Sequence, residues 1–359
     1  MLQDFPALRF GKLAVFIPAM ASENLHRQNI VAIVWDFDKT LISGYMQAPL
    51  FRRFGIDDKR FWKEVNTMHE FLAARGQSIN PETAYLNHIL TYVRAGRFQG
   101  LNNAMLRELG SELEFYPGLP EFFQTLKDLV ASRREFRKHD IALEHYCVST
   151  GLAPMIEGSA VAPYLEKIYA SEFIETPPPP GFLDQAEFEV ENLPVEVSQI
   201  GVMVDNTVKT RFLFEINKGT NKIPEVDVNS KIAQEDRRVP FANMIYVADG
   251  PSDVPAFAVV RKYGGRAYAV YESGNEKEFA QNDALLRTGR VDSYGRADFR
   301  EKSDTYMWMK THVTQICEQI VEDCERALAR RVARPPRHIH RDDPAPRPTG
   351  PQQSDMFEG

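Results

Sequence analysis

The chain is short of cysteine, of long apolar runs and of net positive charge, and each shortage argues against a class of protein. Cys147, Cys317 and Cys324 are the only cysteines in 359 residues. An odd, sparse set with no Cys-x-x-Cys pair speaks against a disulfide framework and a thiolate zinc site. The three read instead as small apolar residues. Low cysteine usage fits a reducing compartment, so a cytoplasmic location is expected. No apolar run approaches the roughly 20 residues of a membrane helix, so no membrane association is expected. Leu13–Met20 is apolar and follows Arg9 and Lys12, but it is short for a signal peptide and holds Pro18. The plainer reading is that Met20 is an alternative start and residues 1–19 are dispensable. Basic residues number 43 against 50 acidic, a net charge of −7. That balance gives no general attraction to nucleic acid. An anionic substrate then requires a locally basic pocket or a metal.

Hydrophobic residues make up 43% of the chain, enough for a sizeable core. Residues 29–35 (NIVAIVW) are continuously apolar and rich in β-branched types, the pattern of a strand buried on both faces. Further strands are expected at 142–149, 167–174, 199–205, 243–248 and 267–271, with strand-like alternation from 182. Between the first two strands, Phe51, Phe54, Phe61, Trp62, Val65, Met68, Phe71 and Leu72 recur at spacings of three and four, which predicts helices. Asn80-Pro81-Glu82 has the form of a helix start. Helices are also expected at 86–93, 103–113, 121–130, 209–218 and 305–330, with a charged linker at 133–139. The fold class is α/β: a Rossmann-like parallel sheet core with an inserted helical cap. The expected boundaries are an N-terminal extension at 1–28, a discontinuous core at 29–44 and 114–330, a cap at 45–113, and a disordered tail at 331–359, where proline and arginine dominate.

Asp36-Phe37-Asp38-Lys39-Thr40 follows the first buried strand directly, at the edge where open α/β sheets bind ligands. Two carboxylates two residues apart there can face one crevice, one attacking while the other carries a proton. A carboxylate approaching a phosphate meets like charge, roughly 4 kcal/mol per charge pair at 4 Å and an effective dielectric near 20. A cation must offset that. Asp249-Gly250-Pro251-Ser252-Asp253 follows another buried strand and supplies hard oxygen donors suited to magnesium, although Asp253 also reads as a helix cap. Ser149-Thr150-Gly151 closes a third strand, where hydroxyl and backbone N–H groups can hold phosphate oxygens. Lys209 and Lys218 are the lysine candidates. Lys209 is favoured, because a lysine in the first turn of a helix opposes the helix dipole and so wants another purpose.

These pieces, in this order, resemble the haloacid-dehalogenase (HAD) superfamily, and its phosphoserine-phosphatase-like branch in particular. The resemblance implies a nucleophilic Asp36 that also binds magnesium, and Asp38 as general acid and base with its carbonyl on the metal. It further implies Ser149 and Lys209 on the phosphoryl oxygens, with Thr40, Thr150 and Gly151 beside them, and Asp249 and Asp253 completing the metal site. Asp38 sets the chain apart from dehalogenases, which lack it. Tyr45 stands where phosphoserine enzymes carry a cap glutamate, which argues against phosphoserine. The implied function is hydrolysis of a small phosphorylated metabolite; phosphotransfer or an idle binding module are the alternatives. Arg52, Arg53 and the cap aromatics read mainly as surface and packing residues.

Overall fold

The computed structural model describes residues 27–184, 195–223 and 226–331. The alternative start at Met20, the dispensable 1–19 and the tail beyond 331 lie outside the described residues, as does part of the segment from 182. The strands are β1 (Ile30–Trp35), β2 (Ala142–Leu152), β3 (Leu165–Ile174), β4 (Gln199–Val202), β5 (Met244–Ala248), β6 (Arg266–Tyr271) and β7 (Ser293–Arg296). They form one sheet in the order β4-β3-β2-β1-β5-β6-β7. Every pairing is parallel except β3 with β4. The fold class is the expected one.

The central strands are apolar throughout because both faces are covered. Val31, Ile33 and Trp35 of β1 enter one core cluster with α5 (Glu121–Ser132) and α11 (Asp304–Arg331), while Ala32 and Val34 enter the other. That second cluster holds α8 (Val208–Lys218), α9 (Val254–Lys262) and Leu285 of α10 (Glu276–Arg287). The chain leaves β1 for β2 on one side and returns to β5 on the other. The crevice beyond the carboxyl ends of β1, β2 and β5 is therefore a topological switch point.

Between β1 and β2 stand α1 (Ala48–Phe54), α2 (Asp58–Ala73), α3 (Ala84–Arg94) and α4 (Asn103–Gly110). Phe51, Phe61 and Phe98 are buried among them, and Phe54 packs edge-on against Phe98; Phe71 is exposed. Arg52 and Arg53 lie on the surface near Glu112 and Glu108. The α4 helix is seated on α7 (Ala153–Glu157) backbone to backbone. A Cβ on Gly110 would overlap Met155, and one on Gly158 would overlap Arg107. Only glycine permits that approach.

Several expectations need correction. No helix starts at Asn80-Pro81: Asn80 Oδ1 accepts from the Glu82 N–H in a turn, and the helix begins at Ala84. The charged linker contains a short helix, α6 (Arg134–Lys138), pinned by the buried Phe136. Phe182–Asp184 forms a 3-10 turn rather than a strand. Cys147 and Cys317 are buried, but Cys324 is only half-buried. The elements α7, α10 and β7 were not anticipated.

Candidate active site

Asp36 is the first residue past β1. Its N–H donates to the Val247 carbonyl of β5 at 2.9 Å, which fixes it over the switch point. The chain then turns sharply, with Lys39 at φ 57 and its N–H on the Gly44 carbonyl. That turn brings the buried Thr40 back, so its hydroxyl donates to Asp36 Oδ2 at 3.1 Å. Asp38 is half-buried, and its Oδ1 accepts from the Met46 N–H at 2.9 Å.

Lys209 lies 173 residues further on and is 1% exposed. Its ammonium donates to Asp36 Oδ1 at 2.8 Å and to Asp253 Oδ1 at 2.7 Å. Asp205 prepares the helix that delivers it, with Oδ1 accepting from the N–H groups of Thr207 and Val208, both at 2.8 Å. Lys218 sits elsewhere, donating to the Val228 and Ser230 carbonyls in the following loop. Asp253 is fully buried and stands at the N-cap position of α9, as the helix-cap reading has it, but its side chain makes no cap bond there. Besides Lys209, it accepts from the Tyr246 hydroxyl at 2.5 Å and from Ser252 at 2.8 Å. Its lone pairs thus go to a full cation and two hydroxyls rather than to the backbone. Tyr246 was not singled out in the sequence; it lies inside an apolar strand and looks there like any core aromatic.

At the end of β2, Ser149 Oγ accepts from the Gly151 N–H at 3.0 Å, so the hydroxyl is turned into its own loop. The pairing of β2 with β3 shifts register between Val148 and Leu152, which opens this segment. The Thr150 carbonyl accepts from the Tyr85 hydroxyl of α3 at 2.6 Å, a direct tie between the inserted helices and the core.

One carboxylate oxygen from each of Asp36, Asp249 and Asp253 lies within 4.8 Å of the others. Burial pushes Asp36 up to about 6 against the pull of Lys209. Burial and the charge of Asp36 raise Asp38 to about 7. Burial, then the charges of Asp36 and Asp253, raise Asp249 to about 8. Burial lowers the Lys209 ammonium's proton affinity, but Asp253 and Asp36 outweigh it and hold the lysine above its ordinary range. Four carboxylates thus crowd one buried lysine, and this excess of negative charge is what a divalent cation would relieve. The hard oxygen donors fit magnesium. Asp253 accepts three bonds, two on Oδ1 and one on Oδ2, whereas each Asp36 oxygen accepts one, so Asp36 and Asp249 would be the freer donors to a metal and Asp253 their support.

Asp38, Thr150 and Gly151 line a cavity of about 590 Å³ whose remaining walls come from the loop after Asp38, from α1 and α2, and from Pro81, Glu82 and Tyr85 around the start of α3. A cavity of similar size, about 570 Å³, lies elsewhere beside Asn243, Arg266 and α11 and contains none of these carboxylates.

No family model matches the chain. An uncharacterised protein of Borreliella burgdorferi is 36% identical over 288 residues, which are 79% of this chain and 96% of that one. Solved structures that resemble the chain include a HAD family hydrolase from Salmonella enterica serovar Typhi, with TM-score 0.44, 14% identity, 74% of this chain and 66% of that chain covered. A phosphoserine phosphatase solved as a phospho-aspartyl intermediate analogue gives TM-score 0.42 and 16% identity, covering 79% of this chain and 99% of that one. A probable phosphoserine phosphatase from Vibrio cholerae gives 0.44 and 13%, covering 82% and 68%.

Proposed function

We propose that this chain, which belongs to one family with the Borreliella burgdorferi protein and whose motifs resemble those of the HAD superfamily, is a magnesium-dependent phosphomonoesterase working through an aspartyl-phosphate on Asp36. The observation that carries this reading is the Lys209 ammonium held between Asp36 and Asp253, beside Asp249, while Asp38, two residues from Asp36, lines a cavity.

Asp36 is aimed by three bonds, from the Val247 backbone through its N–H and from Thr40 and Lys209 through its carboxylate. An Asp36 oxygen attacks phosphorus as the ester P–O bond breaks, and Asp38 gives its proton to the departing alcohol oxygen. A proton affinity near neutrality suits that exchange. Water then attacks the aspartyl-phosphate, Asp38 takes the water proton, and phosphate leaves with Asp36 restored. Lys209 offsets the charge that phosphate brings to Asp36, while the Ser149 hydroxyl and the Thr150 N–H hold its oxygens, joined by the Gly151 N–H once it leaves Ser149 Oγ. Magnesium, held by Asp36, Asp249 and the Asp38 carbonyl, would polarise the phosphoryl group and neutralise part of its charge. The helices of residues 45–113 serve as the cap over this site. A mere binding module has no use for four carboxylates packed together, since each is costly to bury.

The two lysines test the reading. Lys209→Ala should lower magnesium-dependent hydrolysis of p-nitrophenyl phosphate by about a hundredfold or more, as loss of a charge-stabilising group does. Lys218→Ala should stay within about threefold of wild type. Loss of activity in Lys218→Ala alone would overturn the assignment.

A further inference from the structure

The cavity beside Asp38 is built for a particular leaving group, and this inference rests on the phosphomonoesterase reading. Gln47, at the start of α1, is 1% exposed, lines the cavity, and has no hydrogen-bond partner for Oε1. Its side chain does not cap the helix. A buried carboxamide left unpaired is costly, so a native protein keeps one where something else completes it. Nearby, Tyr45 and Trp62 lie 4.9 Å apart at 37° and the Lys39 ammonium stands 5.2 Å from the Tyr45 ring centroid, but Tyr45 is 46% exposed, so part of its ring remains open to an occupant. Asn66, exposed on α2, adds a second amide to the wall.

Charge narrows the class. Among the described residues lining the cavity, Lys59 is the one basic side chain against Asp58 and Glu82, with Asp38 carrying the proton it later donates. A leaving group with its own carboxylate or a further phosphate would meet net negative charge. A quaternary ammonium would suit the aromatic rings, but it has no hydrogen bond to give or take and would leave the Gln47 amide unpaired. A planar ring with donors and acceptors on its edge satisfies both features: its face stacks on the aromatics and its edge pairs with the carboxamide.

We propose that the substrate is a nucleoside monophosphate, its nucleobase stacked in the Tyr45–Trp62 region and hydrogen-bonded by Gln47. The cavity, at about 590 Å³, lies in the range that encloses a molecule of this size.

The test pairs binding with turnover. Calorimetry with free nucleosides should show binding to the wild-type protein, weakened about tenfold in Gln47→Leu and in Trp62→Leu. With magnesium present, kcat/KM for nucleoside 5′-monophosphates should exceed that for glycerol phosphate, phosphocholine and pyridoxal 5′-phosphate by about tenfold or more. The two substitutions should shrink that ratio. Nucleosides that fail to bind the wild type, or preferred turnover of glycerol phosphate, phosphocholine or pyridoxal 5′-phosphate, would overturn the proposal. Nucleosides that bind without any phosphoester being hydrolysed would uphold this cavity assignment and sink the phosphomonoesterase reading instead.

Discussion

At the scale of single residues, His145 shows how burial fixes protonation. It is wholly buried; its Nδ1 accepts from the Trp35 indole N–H at 3.1 Å and its Nε2 donates to the Phe123 carbonyl at 3.0 Å. A proton added at Nδ1 would face the indole N–H. Burial accordingly lowers its pKa from 6.5 to about 3. The unfolded chain takes up that proton below pH 6.5 and the folded chain does not, so the stability His145 contributes is lost as pH falls from 6.5 towards 3. The slope from this one group is about 1.4 kcal/mol per pH unit. Asp36, Asp38 and Asp249, with raised values, act in the opposite sense over their own range. The comparison must therefore be between wild type and His145→Gln. Urea unfolding at pH 6.5 and pH 5 should show wild type losing about 2 kcal/mol more than the variant, and parallel losses would contradict the account. Residue by residue, the acidic motifs were legible because each follows a strand whose apolar run marks its end. Tyr246 and Gln47 were not: a tyrosine among core residues and a glutamine before a helix carry no signal until the fold shows what they face.

At the scale of elements, the site depends on how α8 is delivered. Its first turn would otherwise leave N–H groups unpaired, and Asp205 takes two of them. The dipole conflict of a lysine in that turn pointed to Lys209, and the structure gives the reason: two carboxylates draw it inward. Asp205→Ala should lower unfolding free energy by about 1 kcal/mol and reduce turnover as Lys209 loses its fixed start. Thermal melting alongside the p-nitrophenyl phosphate rate checks both, and an unchanged melt would remove Asp205 from the account. Central strands were readable because two covered faces demand unbroken apolar runs. The β7 strand, Ser-Tyr-Gly-Arg at the sheet edge, has no such run. Likewise, α6 is only five residues and owes its place to the packing of Phe136 rather than to local propensity.

At the scale of the whole molecule, the switch point and the inserted helices determine the chemistry together. Strands β1, β2 and β5 bring Asp36, Ser149 and Asp249 to one edge, although they are far apart in sequence. The insertion is joined to that edge at several points: Met46 to Asp38, Tyr85 to Thr150, and Glu82 to Asn206. The same contacts that steady the inserted helices therefore shape the cavity that Asp38 lines. The sequence order of the motifs anticipated the convergence. The cavity's aromatic and amide lining depends on the angles between helices, which periodicity does not encode. The central claim is that Asp36 carries the phosphoryl group, and its most direct test is hydrolysis of p-nitrophenyl phosphate by wild type and Asp36→Asn, each with and without magnesium. The account predicts magnesium-dependent turnover in wild type and a loss of about a thousandfold or more in a folded Asp36→Asn protein; turnover in the variant within about tenfold of wild type would contradict it.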